Sequence, residues 1–495
     1  MFAFNHRSQS VDCGLKHVSI FYGLQWVLIG LICCVASPAM ADRWHSVSAP
    51  AHAVDSRLSQ LDSKSDSASD LGVSALALAG ASGVLSKQAG PTEMELRAMF
   101  LKAVRAADEL SPHIRRAQSE FQASQADIEE AKGQRWPQVD LGAHSKPVQI
   151  DSRTDVEDNS SAGVDLSIST TLYDWGRMAR TIDSRERSAD AARSAIAAER
   201  EGAAYEVVSS IIELSKQRII VDVSQRFVDR MEELVGMLAS IVAVDKGRES
   251  ELTQAKARLL QALAARDSAQ TRAGNAEINL RKLVGDQPML IPRTREWNLY
   301  LPNMDTLLAR VEDHPSIQKS KAQAQSAELQ AQVVRASSLP QLSWLVGKTT
   351  ADDSLGREQP WQTSLKVTWG AFRGGSVRAA ERAVLQRAEA SRQETEQQRL
   401  DLEYQIRTAD HEARTMLERA ELYRNLSVES ERIRLAFYQQ WYHLGKRTLL
   451  DVLIAENDHY SNRVSEVINR FDGYQAIIRQ YASAGSLVGW LAGSS

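Results

Sequence analysis

The residues in this chain best placed to do chemistry are Leu444-Gly445-Lys446-Arg447, and they fall short of it. A loop that cradles a phosphate needs a glycine five positions before Gly445 and a Ser or Thr after the lysine, so that bare backbone N–H groups and a magnesium-binding hydroxyl converge. Gln440 and Arg447 occupy those two places. Phe372-Arg373-Gly374-Gly375 lacks the glycine spacing for the same task. The ten histidines are dispersed, and His411-Glu412 has no second histidine to make a metal-binding helix face. All three cysteines, Cys13, Cys33 and Cys34, precede residue 42, so the rest of the chain has no thiol for a disulfide, a thiolate metal site or a nucleophile. No catalytic, cofactor or metal site is expected, and the chain reads as a non-enzyme. Its net charge of -4 and lack of a basic stripe argue against nucleic acid as a partner.

The elements around these residues are more telling, because the sequence repeats itself. Pro112-His113-Ile114 through Pro137-Gln138 aligns without a gap on Pro315-Ser316-Ile317 through Pro340-Gln341, at an offset of 203. Gly176, after Leu172-Tyr173-Asp174, then corresponds to Gly375 at an offset of 199, and Gly247 corresponds to Gly445 at 198. A unit this long, present twice, is a duplicated architecture rather than a short-period solenoid. No proline falls between Pro147 and Pro288 or after Pro360, leaving stretches of 140 and 135 residues free for uninterrupted helix. The 71 residues from Gly176 to Gly247 and the 70 from Gly375 to Gly445 predict helices roughly 105 Å long at about 1.5 Å per residue. Return helices over 248–284 and 446–482, with helices near 100–136 and 303–338 leading into the strands, complete each copy. Tyr205, Val208, Ile212, Ile219, Val223, Phe227, Met231, Leu234, Leu238 and Ile241 recur at spacings of three, four and seven, which marks a packing seam.

Each copy also carries two candidate strands, so the fold class is mainly α with a small β part. Val164, Leu166, Ile168, Thr170 and Leu172 alternate with polar residues, the pattern of a two-faced sheet. Leu342–Val346, Leu365–Trp369 and Val139–Ala143 are weaker versions. Four such strands cannot close on themselves, and lipid does not tolerate an open edge. Three copies would supply twelve, which makes a homotrimer with one shared barrel the economical solution. Trp136, Tyr173, Trp175, Trp344, Trp361, Trp369 and Phe372 cluster at the predicted strand ends, where an aromatic girdle would sit.

The ends of the chain differ in character. Ile20–Ala36 is an apolar run preceded by Arg7 and Lys16 and followed by Ala39-Met40-Ala41, so residues 1–41 read as a secretory signal peptide. The cysteines in that run lack the preceding small residue of a lipoprotein signal. Residues 42–91 are rich in Ser, Ala and Asp and are expected as a flexible extension. The first repeat is then 92–287, an equatorial linker 288–302, the second repeat 303–485, and a C-terminal tail 486–495.

At Leu172-Tyr173-Asp174-Trp175-Gly176-Arg177, with strand-to-helix junctions at Gly176 and at Gly374 and Gly375, and at Tyr442-His443-Leu444-Gly445-Lys446-Arg447-Thr448-Leu449-Leu450-Asp451-Val452-Leu453, the chain resembles the TolC family of outer-membrane channel-tunnels. The resemblance spans about residues 92–485. It implies a homotrimer in the outer membrane of a Gram-negative bacterium, a twelve-stranded barrel and a helical tunnel crossing the periplasm. Its partners would be outer-membrane lipid, a periplasmic adaptor and an inner-membrane transporter, expected to be of the ABC type of a type I protein secretion system. Efflux of drugs or other small molecules is the alternative, and a non-conducting periplasmic scaffold is a third. The resemblance puts the tunnel's periplasmic tip at Gly247 and Gly445. It assigns Tyr442 and Arg447 to a closing pair and Asp451 to an acidic entrance ring. Ile454 and Thr253 depart from the family's acidic residues, so Glu249 or Glu251 is expected to replace Thr253 as the partner in the gate.

Overall fold

The computed structural model describes residues 90–145, 162–286, 288–351 and 357–493. The signal peptide at 1–41 and nearly all of the extension at 42–91 lie outside the described residues. The described residues belong to one compact unit.

Local sequence sets where the helices begin. α1 (Glu93–Leu110) opens on a capping box in which Thr92 and Glu95 each satisfy the other's backbone N–H. α2 (Pro112–Gly133) starts at Pro112, where a missing N–H costs nothing, with Ser111 as its cap. The single helix expected near 100–136 is therefore two, because Pro112 cannot donate into a continuing ladder. The second copy repeats the device: α6 (Pro315–Ala336) follows the one-turn α5 (Met304–Ala309), and His314 caps it through Nδ1.

The two rods are α3 (Arg177–Val244), with 68 residues, and α7 (Ser376–Tyr442), with 67. Each is about 100 Å long at about 1.5 Å per residue. α4 (Glu249–Val284) returns along α3, and α8 (Leu449–Ser483) returns along α7 and also packs on α3. Of the expected seam on α3, Val208, Ile212, Ile219, Val223, Met231, Leu234 and Leu238 are buried, while Tyr205 and Phe227 are partly so. α4 answers with Ala255, Ala262, Ala269 and Ala276, all buried and seven apart. A heptad seam of alanines lets the two backbones approach closely, as in a coiled coil.

Between the repeats, residues 288–303 contain no helix or strand among those described, yet they are anchored. Trp297 is buried, stacks on Tyr474 at 5.8 Å, meets Phe471 edge-on at 5.2 Å, and donates its backbone N–H to Tyr474 Oη at 3.0 Å. The segment expected as a tail holds α9 (Leu487–Ala492), whose Leu487, Trp490 and Leu491 are buried in the same core cluster. The Glu201 carboxylate on α3 accepts from the Leu487 and Val488 N–H groups and so caps α9.

The four strands form one antiparallel sheet in chain order: β1 (Gln138–His144), β2 (Gly163–Tyr173), β3 (Gln341–Thr349) and β4 (Gln362–Thr368). Register shows why the alternation is there. Leu141 opposes Leu166, Val139 opposes Ile168, Ile168 opposes Val346, and Trp344 opposes both Thr170 and Leu365. These residues share one face, and Asp140, Ser167, Gly347 and Gln362 share the other. On the apolar face Leu141 is 76% and Leu365 67% exposed, so nothing among the described residues covers them. Among the described residues β1 and β4 each have one edge with no strand beside it. Among the described residues no helix is long and apolar enough to cross a membrane.

Candidate functional site at the helix tips and the strand bases

Both rods begin at the same backbone device. In the first copy Trp175 (φ 60°) and Gly176 (φ 76°) are left-handed in succession, and in the second Gly374 (φ 56°) and Gly375 (φ 81°) are. Two consecutive left-handed residues turn the chain sharply from strand into helix. Asp174 secures the first turn, its carboxylate accepting from the Gly176 and Met178 N–H groups. A tryptophan in this backbone region is uncommon. Trp175 is held there by an indole N–H bond to the Pro340 carbonyl at 2.7 Å, which ties the base of β2 to the base of β3.

The aromatic residues distribute unevenly over the sheet. Trp136, Tyr173, Trp175, Trp369 and Phe372 flank the strand ends next to the helices, all exposed. Trp344 lies within β3, and Trp361 precedes β4 at the opposite end. Of the seven aromatics expected at the strand ends, five flank the helical end, Trp361 flanks the opposite end, and Trp344 lies inside its strand.

At the other end of the rods the two tips use different chemistry. The first is a 3-10 turn, Lys246–Arg248, in which Asp245 accepts the Gly247 N–H at 2.9 Å. Gly247 does not have positive φ, whereas Gly445 does, at 60°. The backbone freedom expected of both glycines is used by Gly445 alone. After it, Thr448 and Asp451 form a capping box at the start of α8. The Thr448 backbone and hydroxyl bonds hold the Asp451 carboxyl below its usual range, so it is ionised at any physiological pH.

The four side chains expected to form a gate do not meet within one chain. Tyr442 is half exposed and stacks on Tyr438 at 5.9 Å. Arg447 lies over the Phe437 ring at 4.3 Å and donates to Gln440. Glu251 is taken up by a two-pronged bond from Arg248, and Glu249 faces solvent. Thr253 bonds back to the Glu249 carbonyl. Ile454, at the position where the family pattern places an acidic residue, is exposed.

Other residues join the tips. The Arg248 guanidinium reaches the Trp441 ring at 5.6 Å, and Arg230 covers Tyr438 at 4.7 Å. Arg230 and Arg434 both donate to the buried Glu456 at 3.0 Å. No motif marks these residues. The nearest signal in the sequence is the aromatic run Phe437, Tyr438, Trp441, Tyr442 at helical spacing, which needs cationic or apolar partners from a neighbouring helix.

Residues 103–286 and 309–486 match the profile of the outer membrane efflux protein family, so both repeats are covered. The chain belongs to that family. It is 22% identical over 344 residues to outer membrane efflux protein BepC of Brucella suis, covering 66% of this chain and 72% of that protein. Its fold is similar to the CmeC outer membrane channel of Campylobacter jejuni (TM-score 0.68, 17% identity, 79% of this chain and 86% of that one). The outer membrane protein VceC of Vibrio cholerae is similar at TM-score 0.67 and 15% identity, over 78% of this chain and 96% of that one. The family and fold are those of outer-membrane channel proteins that extend into the periplasm. Among the described residues no group of His, Cys, Asp or Glu is arranged to hold a metal ion.

Proposed function

We propose that the chain is one third of a passive exit duct, and that three copies close a twelve-stranded barrel above a continuous helical tunnel. The sheet carries this reading. It has an apolar face open to its surroundings and two unpaired edges, β1 and β4, so a second copy's β4 can extend β1 in register. In hydrocarbon every unpaired backbone group costs several kcal/mol, which leaves closure as the stable end point. The duct would receive cargo from a periplasmic adaptor and an energised inner-membrane transporter, since no site for energy conversion is evident in its own residues.

Two cargo readings stand. An unlipidated leader favours type I protein secretion with an ABC transporter. The name of the relative BepC, an efflux protein, favours small-molecule efflux. Deleting the gene separates them: loss of a secreted protein supports the first, and lowered tolerance of toxic small molecules supports the second.

The duct itself is tested in a planar bilayer. The purified protein should form cation-conducting pores, and Tyr442→Phe with Arg447→Ser should raise single-channel conductance if these residues narrow the entrance between neighbouring subunits. A protein that stays monomeric without detergent and conducts nothing would leave only the scaffold.

A further inference from the structure

Below the linker, α3, α7 and α8 enclose an open cleft of about 1010 Å³ lined by eight arginines and four glutamates. The acids are all spoken for. Glu296 pairs with Arg424, Glu431 with Arg434, Glu456 with Arg230 and Arg434, and Glu466 with Arg295. Arg432 turns to Glu429, outside the cleft. Three cations are left over: Arg226 on α3, Arg293 on the linker and Arg463 on α8. None of the three has a hydrogen bond or ion pair among the described residues.

Arg226 and Arg293 are exposed at the rim of the cleft, and Arg463 lies deeper. Arg463 is half-buried, and burial, together with the charges of Arg295 and Arg226, pushes its pKa down against the opposing pull of Glu466 and Glu431, neither of which forms an ion pair with it. Two hydroxyls in the same lining, Thr294 Oγ1 and Ser427 Oγ, are buried and unpartnered. Three guanidinium forks without a carboxylate partner on one cleft fit a ligand that only accepts.

We propose that this cleft is a binding site for a multivalent oxyanion of the phosphoryl type, gripped by Arg226, Arg293 and Arg463. Planar guanidinium groups bind such oxygens two at a time, and three from separate segments suit a ligand with more than one negative charge. The volume is that of a small-molecule pocket rather than of a lone phosphate, so the phosphoryl group has room for a small organic body. Because Arg226 sits on the first repeat's rod, Arg463 on the second repeat's return helix and Arg293 on the linker, the anion bridges the two repeats. The site does not depend on whether the chain conducts.

The test is calorimetric titration of the full-length protein in detergent with sodium pyrophosphate at fixed ionic strength. One saturable site per chain is expected. Arg463→Gln should weaken it at least tenfold, and the exposed pair Arg226→Gln with Arg293→Gln, which has no native bond to break, should do the same. Arg258→Gln, on α4 away from the cleft, should leave it unchanged. The absence of saturable heat at millimolar pyrophosphate would overturn the proposal, as it would if carboxylates of a neighbouring subunit already filled the cleft. Equal affinity in the rim double variant and the unaltered protein would overturn it too.

Discussion

α3 and α7 are nearly the same length and are the equivalent elements of the two repeats, yet α3 buries 21 of its residues and α7 only nine. α3 is the spine of the protomer, flanked by α2, α4, α6 and α8. α7 lies at an edge, with Leu422 and Tyr404 each 68% exposed. Duplication supplied two equal rods, and packing gave them unequal work: one organises the protomer, and the other keeps an apolar face exposed in it. The tips diverge in parallel, since a hydrogen-bonded 3-10 turn serves the spine and a left-handed glycine with a capping box serves the edge.

The most severe way to break this comparison is to cut into both rods. Ile211→Ala on α3, where the side chain is fully buried, should cost roughly 2–5 kcal/mol in unfolding experiments. Leu422→Ala on α7 should change stability by no more than about 0.5 kcal/mol. Equal losses would erase the distinction between spine and edge.

Next in size is Glu201, a buried carboxyl on the spine whose counterpart on α7, at an offset of 199, is Leu400. Burial pushes its pKa up from 4.5 to about 7 against the opposing bonds from Val488 and Leu487. The folded chain therefore holds a proton that the unfolded chain releases between pH 4.5 and about 7. The stability this contributes is present below pH 4.5 and is lost as pH rises through about 7, on the order of 3 kcal/mol at 1.36 kcal/mol per pKa unit. Glu201→Gln should flatten the stability profile over that window. A melting curve with the same pH slope in both proteins would remove Glu201 from the account.

The tips give smaller effects. Gly445→Val forces an L side chain into a left-handed position and should cost about 1–2 kcal/mol, while Gly247→Ala should stay within about 0.5 kcal/mol. Thr448→Ala, which removes the α8 cap, should cost about 1 kcal/mol. Asp451→Ala should weaken block of the pore by divalent cations, and an unaltered block would separate its capping role from any entrance ring.

Much of the architecture was legible because it is written in short-range patterns. Proline-free stretches marked both rods, period-two alternation marked the strands, and Gly176 and the Gly374-Gly375 pair marked the junctions. The break at Ser111 follows from Pro112, whose missing N–H outweighs the helical pattern on either side. The rest depends on residues distant in sequence. Trp175 adopts a backbone that glycine would take, because Pro340 supplies a bond across 165 residues. Arg248 meets Trp441 and Arg230 meets Tyr438 only once α3 lies beside α8 and α7. Charge counting could not find the cleft either, since its arginines are scattered over four segments of an acidic chain.

The naked margins of β1 and β4 also constrain how the protein is made. If three copies close the barrel as proposed, a solitary protomer would enter the bilayer with its outermost ribbons lacking neighbours, which would couple the joining of subunits to entry into lipid. Until then its unpaired borders would leave the unassembled sheet open to edge-to-edge association.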